Sequence, residues 1–231
     1  MAALTMGDAI GQMLPSAVGI AISPLPLVAV ILMLATPQGR TNGIAFTMGW
    51  TLSLAGATAA LVVLGSNGDA TTGSGSPATW TSWLKLALGL VFILLAAKQF
   101  TGRPRDGREA RQPGWMKAID HFTPGRAAGL AAALAVVNPK NLVLLLGGAL
   151  AIAASTAGTG GKAVAGVVMV LIASLCTTVP LAVYLLGGDR SAQTLNGWKG
   201  WMSAHNAAIM TTVLGILGAK YIGDAISALS A

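Results

Sequence analysis

Apolar positions along this chain neither alternate nor keep to one helical face. They run in long stretches separated by short polar punctuation. At ~1.5 Å of rise per residue, a stretch of about 20 residues crosses a hydrocarbon core ~30 Å thick. The pattern predicts six such spans, near 9–36, 41–65, 82–100, 125–154, 162–186 and 204–226. Between them, "GSNGDATTGSGSPATW" (65–80) is Gly/Ser/Thr-rich and predicts a flexible loop. "TGRPRDGREARQPGWMKAIDHFTPGR" (101–126) is polar and basic. It is expected to end in a short interfacial helix around Trp115–Phe122, with Trp115 and Phe122 as lipid-facing anchors.

Composition supports a membrane protein. Of 231 residues, 54% are hydrophobic and only 9% charged, against about 25% charged in soluble domains. Charge then sets an orientation. Lys98, Arg103, Arg105, Arg108, Arg111, Lys117 and Arg126 flank or fill the 101–126 loop, and Arg40, Arg190 and Lys199 fall on the same side of a six-span chain. Only Lys85, Lys162 and Lys220 fall on the other. Ten against three places the basic side in the cytoplasm and both termini outside the plasma membrane. This bias accounts for most of the net charge of +7, so no nucleic-acid partner is implied. No Lys or Arg precedes Arg40, so a signal peptide's positive n-region is lacking. Cys176, the single cysteine, is expected to be a small buried residue.

The six spans also read as two copies of three. Setting Pro24 of "ISPLPLVAVIL" (22–32) on Pro139 of "VNPKNLVLLLG" (137–147) aligns Leu27 with Leu142 and Val28 with Val143. "WTSW" (80–83) followed by "LLAAKQF" (94–100) parallels "WKGW" (198–201) followed by "ILGAKYI" (216–222). Three spans per copy make the second run opposite to the first. The expected fold is therefore all-α, with two inverted three-helix repeats, 1–100 and 125–231, around a basic loop at 101–124. The fourth span, some 30 residues and ~45 Å if straight, is too long for a simple crossing. Pro139 near its middle and Pro24 in the first span predict interruptions at 138–140 and 23–26. Carbonyls freed at a break must be satisfied by protein or by water in a cavity, which makes the breaks the place for a site.

Lys140 stands at that place. A half-helix starting at Pro139 offers the positive end of its dipole, with Asn138 as N-cap and Lys140 adding a full charge. Ser23 is the aligned capping candidate. All seven carboxylates (Asp8, Asp69, Asp106, Glu109, Asp120, Asp189 and Asp224) lie in loops or near span ends. Lys140 is then either uncharged, or paired with a counter-ion such as the substrate, or bound to exposed carbonyls at the kink. His205 and Asn206 open the last span. His205 either leans into the cavity as a proton-responsive group or sits at the interface, whereas His121 belongs to the solvated loop.

Thr177, Thr178 and Pro180 predict either a bend in the fifth span with hydroxyls to satisfy it or ordinary core packing. The small stripe Gly125, Gly129 and Ala133 is expected to pack helices closely within the bundle rather than between subunits. "GTGG" (158–161) is taken as an outer-loop glycine cluster and not a phosphate cradle. No Ser/His/Asp set and no metal-ligand spacing occurs within the spans, so no catalytic residue, metal or cofactor is expected, and the chain is not read as an enzyme.

Taken together, "SPLPLVAVILML", "GWMKAIDHFTPGRAAGL", "NPKNLVLLL", "HNAAIM" and "GAKYIGD" resemble the actinobacterial GAP family over about 9–226. These are the glycopeptidolipid- and sulfolipid-addressing proteins, a branch of the lysine-exporter superfamily. The resemblance implies a six-span fold and outward movement of envelope lipids or small solutes. By motif it implicates Pro24, Pro26, Asn138, Pro139, Lys140, Asn141, His205 and Asn206, to which the capping argument adds Ser23. A cationic midplane site without carboxylates predicts a transporter or flippase for an anionic lipid or lipid-linked envelope precursor, or for a small anionic substrate. The wider superfamily favours an exporter of an amino acid or other small solute. A third alternative is a non-transporting accessory protein that docks a cytoplasmic lipid-synthesis complex. Membrane lipids and a homodimer complete the expected partners.

Overall fold

Two prolines and one hydroxyl-rich turn decide where this chain bends. The computed structural model describes residues 5–68, 79–102 and 119–230, and these contain nine α-helices and no strand. Helices α1 (Thr5–Ala21) and α2 (Pro24–Leu34) meet at 45°, α5 (Pro124–Val136) and α6 (Pro139–Ala153) at 63°, and α7 (Thr159–Ala173) and α8 (Leu175–Leu186) at 54°. Three helices run unbroken: α3 (Gly39–Gly68), α4 (Thr79–Thr101) and α9 (Ser191–Leu229). Those three are long and apolar enough to cross a membrane alone, and counting each bent pair as one span gives six. The chain is a multi-pass helical membrane protein.

The first two breaks share one cause. A residue before proline is pushed out of the α region into extended backbone. Ser23 takes φ −69°, ψ 118° and Asn138 φ −63°, ψ 116°, nearly the same conformation at the two aligned positions. Pro24 and Pro139 then begin the next helix, where a missing N–H costs nothing. The third break has no proline at its corner. Ser174 remains in the α region (φ −84°, ψ −8°), and the turn tightens as the Thr177 and Thr178 N–H groups both donate to the Ser174 carbonyl, at 3.0 and 2.9 Å. The expected bend in the fifth span is thus a full interruption. Pro180 lies within α8, beyond the corner.

Packing follows membrane rules. The core holds Met13, Ile20, Phe46, Trp50, Phe92, Leu144, Ile152 and Met169, all fully buried. Outer faces are equally apolar, with Leu52, Leu64, Leu94, Leu171 and Ile216 each more than 60% exposed. Hydrocarbon tolerates such faces where water does not. Helix α4 packs along α9, α3 along α5, α1 along both α6 and α7, and α2 against α8. Small residues permit the closest crossings. A Cβ added at Gly49 would lie 2.6 Å from the Ala128 carbonyl oxygen, and one at Gly218 would lie 3.1 Å from that of Gly89.

Several expectations need correction. Gly125 and Gly129 are exposed, with nothing within 4 Å of an added Cβ, and Ala133 is exposed too. That stripe faces away from the bundle. Ala127, Ala131 and Ala135 bury the opposite face of α5 instead. Phe122 is half-buried against the core rather than facing lipid, and its carbonyl accepts a 2.8 Å hydrogen bond from Asn42 Nδ2. Only Ile119–His121, a 3₁₀ turn, is described from the expected interfacial helix; Trp115 lies outside the described residues, as does most of the 101–124 loop. The last helix begins at Ser191, well before 204, because no Gly-Pro punctuation stops it. "GTGG" is no loop: Gly158 is the N-cap and Thr159–Lys162 the first turn of α7.

Candidate functional site at the helix breaks

The bent pairs are arranged so that their corners meet. Helix α1 lies on α7 and α2 on α8, which sets the first break alongside the third. The Lys140 ammonium is within electrostatic range of Cys176, so the second break faces the third as well. Cys176 is the buried free thiol expected there, donating to the Ala173 carbonyl at 3.4 Å.

At the second break, Asn138 accepts from the Lys140 N–H through Oδ1 at 3.2 Å and caps α6 as expected. Helix α5 ends with the Val137 and Asn138 N–H groups both on the Ala133 carbonyl, at 2.8 and 3.2 Å. The Leu134 carbonyl is left without a helical donor, and Asn141 Nδ2 fills the gap at 2.9 Å. Asn141 is fully buried and so joins the two half-helices. Its Oδ1 has no partner among the described residues, nor has the hydroxyl of Ser23, also fully buried. Ser23 does not cap α2 with its side chain. Pro24 and Pro26 are buried, Asn138 and Lys140 half-buried, and Pro139 exposed.

No carboxylate among the described residues pairs with Lys140. Among the described residues the one ion pair is Lys220–Asp224, one turn apart on α9 at 2.7 Å. The Lys140 amine therefore sits at a helix N-terminus with neither an acidic partner nor a hydrogen-bond partner among the described residues.

Three side chains of α3 complete the corner, and sequence reasoning missed them. Trp50 Nε1 donates to the Ala173 carbonyl at 3.3 Å, Thr51 to Ser174 Oγ at 3.2 Å, and Thr47 to the Thr177 carbonyl at 3.5 Å. Thr177 and Thr178 hydroxyls both donate to the Ser174 carbonyl at 3.0 Å. The signal was T-x-x-W-T at 47–51, whose polar positions share one helical face inside an apolar span.

His205 and Asn206 are not brought to this corner by any contact described. The His205 ring is exposed and stacks on Trp201 with centroids 4.7 Å apart, its Nδ1 lying 2.8 Å from the Trp201 carbonyl oxygen. Asn206 is half-buried.

No curated protein and no solved structure matches the chain. The family profile of Sap, the sulfolipid-1-addressing protein, matches residues 13–227, from the middle of α1 to the last turns of α9. That match takes in all three breaks and the Lys140 corner, and the chain belongs to the sulfolipid-1-addressing protein family.

Proposed function

We propose that this protein exports an anionic lipid or lipid-linked precursor across the plasma membrane, with the headgroup passing the corner where the three broken spans meet. The family's name points to sulfolipid addressing, and a sulfolipid carries the kind of anionic group that this corner suits. The observation that carries the proposal is Lys140, an ammonium at the N-terminus of α6 with no carboxylate and no hydrogen-bond partner among the described residues. A charge near a span centre costs about 2.5–3.5 kcal/mol on insertion scales. Stability alone favours leucine there, as at Leu142 and Leu144 beside it. An anionic substrate offsets that cost as it arrives.

In this scheme Lys140 and the α6 dipole hold the headgroup. Asn138 and Asn141 hold the half-helices that aim them, and Ser23 offers a further hydroxyl from the opposing break. The protein is a transporter rather than an enzyme, and no cofactor takes part. The two three-span units form an inverted repeat. The matching backbone at Ser23 and Asn138 supports this, as does the reciprocal packing of α3 on α5 and of α1 on α7.

The test is movement of a fluorescent sulfated glycolipid and of fluorescent phosphatidylglycerol in liposomes holding purified protein alone. Wild type is expected to move one or both. Lys140→Ala should fall to the protein-free rate while keeping its melting temperature, and Lys140→Arg should fall between, because the broad guanidinium fork replaces a compact ammonium. Near-normal flux in Lys140→Ala defeats the reading. No flux in wild type favours an accessory role instead.

A further inference from the structure

A second feature starts one turn from the Ser174 break and runs outward from it. The C-terminal half of α3 and most of the length of α7 enclose a groove of about 740 Å³. Its walls are Ala55, Ala59 and Val63 on one helix and Ala163, Gly166 and Val167 on the other. Small residues hollow it out, and its rims face the lipid, since Val63 and Val167 are both more than half exposed. It runs along α7 from Lys162 to Leu171, a distance of ~13 Å at the helical rise. Half of a ~30 Å hydrocarbon core is about 15 Å, so the groove has the depth of one leaflet.

A groove of this kind does not stay empty in a bilayer. Its lining would lose dispersion contacts to a void, and an acyl chain is the flexible apolar object at hand. The mouth adds selectivity. Lys162 Nζ donates to the Ala153 carbonyl at 2.6 Å and to Ser66 Oγ at 3.2 Å. Both acceptors are neutral, so they leave the charge unmatched, and one of the three ammonium protons remains free. The same end holds the first turn of α7, whose N-cap Gly158 supplies no side-chain bond to its N–H groups. On the groove wall Thr58, 3% exposed, carries a hydroxyl with no partner among the described residues.

We infer that this groove seats one acyl chain of an anionic membrane lipid, with the headgroup on Lys162 and the first turn of α7, at a site separate from the Lys140 corner. By the charge asymmetry of the chain, the leaflet concerned is the outer one. The inference rests on residence in a membrane and not on export.

The experiment uses detergent-purified full-length protein titrated with phosphatidylglycerol or phosphatidylcholine of identical chains, the bound lipid being counted by native mass spectrometry. Wild type should retain phosphatidylglycerol about fivefold more strongly than phosphatidylcholine, the preference one basic residue at the headgroup level supplies. Lys162→Gln should erase that preference while still binding both lipids. Gly166→Leu should displace both, and the fold should tolerate it, because a Cβ there meets only the Thr58 methyl at 3.7 Å. Ala163→Leu, on the exposed rim, fills the same space independently. Repeating the titration in Lys140→Ala removes any lipid held at the corner, and the preference that depends on Lys162 should persist there. Full retention of phosphatidylglycerol in both leucine variants overturns the inference. So does a preference that is lost in Lys140→Ala but kept in Lys162→Gln. A wild type that binds in the groove yet moves no lipid refutes export alone.

Discussion

Asn141 shows how much one side chain does at the second break. It is fully buried, and its amide donates to the Leu134 carbonyl, one of those at the end of α5 that the break leaves without a helical donor. Asn141→Leu keeps the volume and removes the donor. An unsatisfied buried carbonyl costs about 1–3 kcal/mol, so this variant should melt well below wild type, whereas Lys140→Ala should not. Thermal unfolding in one detergent separates them, and equal melting temperatures for Asn141→Leu and wild type would remove its joining role. Asn138, Asn141 and Lys140 were legible in the sequence because polar residues amid a purely apolar run need a reason to be there. Their separate duties were not, since which of two neighbouring asparagines reaches back to α5 depends on the turn between them. His205 reads the same way in sequence, and the structure leaves its ring exposed on Trp201.

Helix crossings follow a rule the sequence states only in part. Gly49 of α3 and Gly129 of α5 are both glycines inside apolar helices, yet one meets backbone and the other open space. Gly49→Ala drives its methyl against the Ala128 carbonyl and Cα, rigid atoms at 2.6 and 2.8 Å, so α3 and α5 must separate. Overpacking of this sort costs about 1–3 kcal/mol. Gly129→Ala meets nothing and should be neutral or gain up to ~1 kcal/mol of helix propensity. Melting curves for the pair decide the matter, and similar losses in both would refute the assignment of faces. Periodicity marks a small-residue stripe without saying whether a partner helix covers it. The proline breaks were readable because proline dictates the backbone before it. The break at Ser174 was only half visible, because Trp50 and Thr51, some 120 residues earlier, supply the bonds that hold it.

For the whole molecule, the hydropathy pattern located the spans, and the basic asymmetry yields a topology open to direct test. Gly125 and Gly158 are exposed and adjoin opposite ends of the fourth span. In a Cys176→Ala background, Gly158→Cys should react with an impermeant maleimide in intact cells and Gly125→Cys only after lysis; the reverse pattern would invert the orientation. The described residues place the three corners side by side, an arrangement no single span encodes. The near-identical pre-proline conformations of Ser23 and Asn138 carry a kinetic consequence. Parting an intact helix in hydrocarbon forfeits hydrogen bonds worth about 4–6 kcal/mol each in an apolar medium. Here that work is completed during folding, with the buried carbonyl of Leu134 already reassigned to Asn141. A swing of one half-helix against the other then breaks only the bonds that bridge the corner, Asn141 Nδ2 to the Leu134 carbonyl foremost, and no helical ladder. The activation barrier is therefore set by that bridge and by how the half-helices unpack from their neighbours.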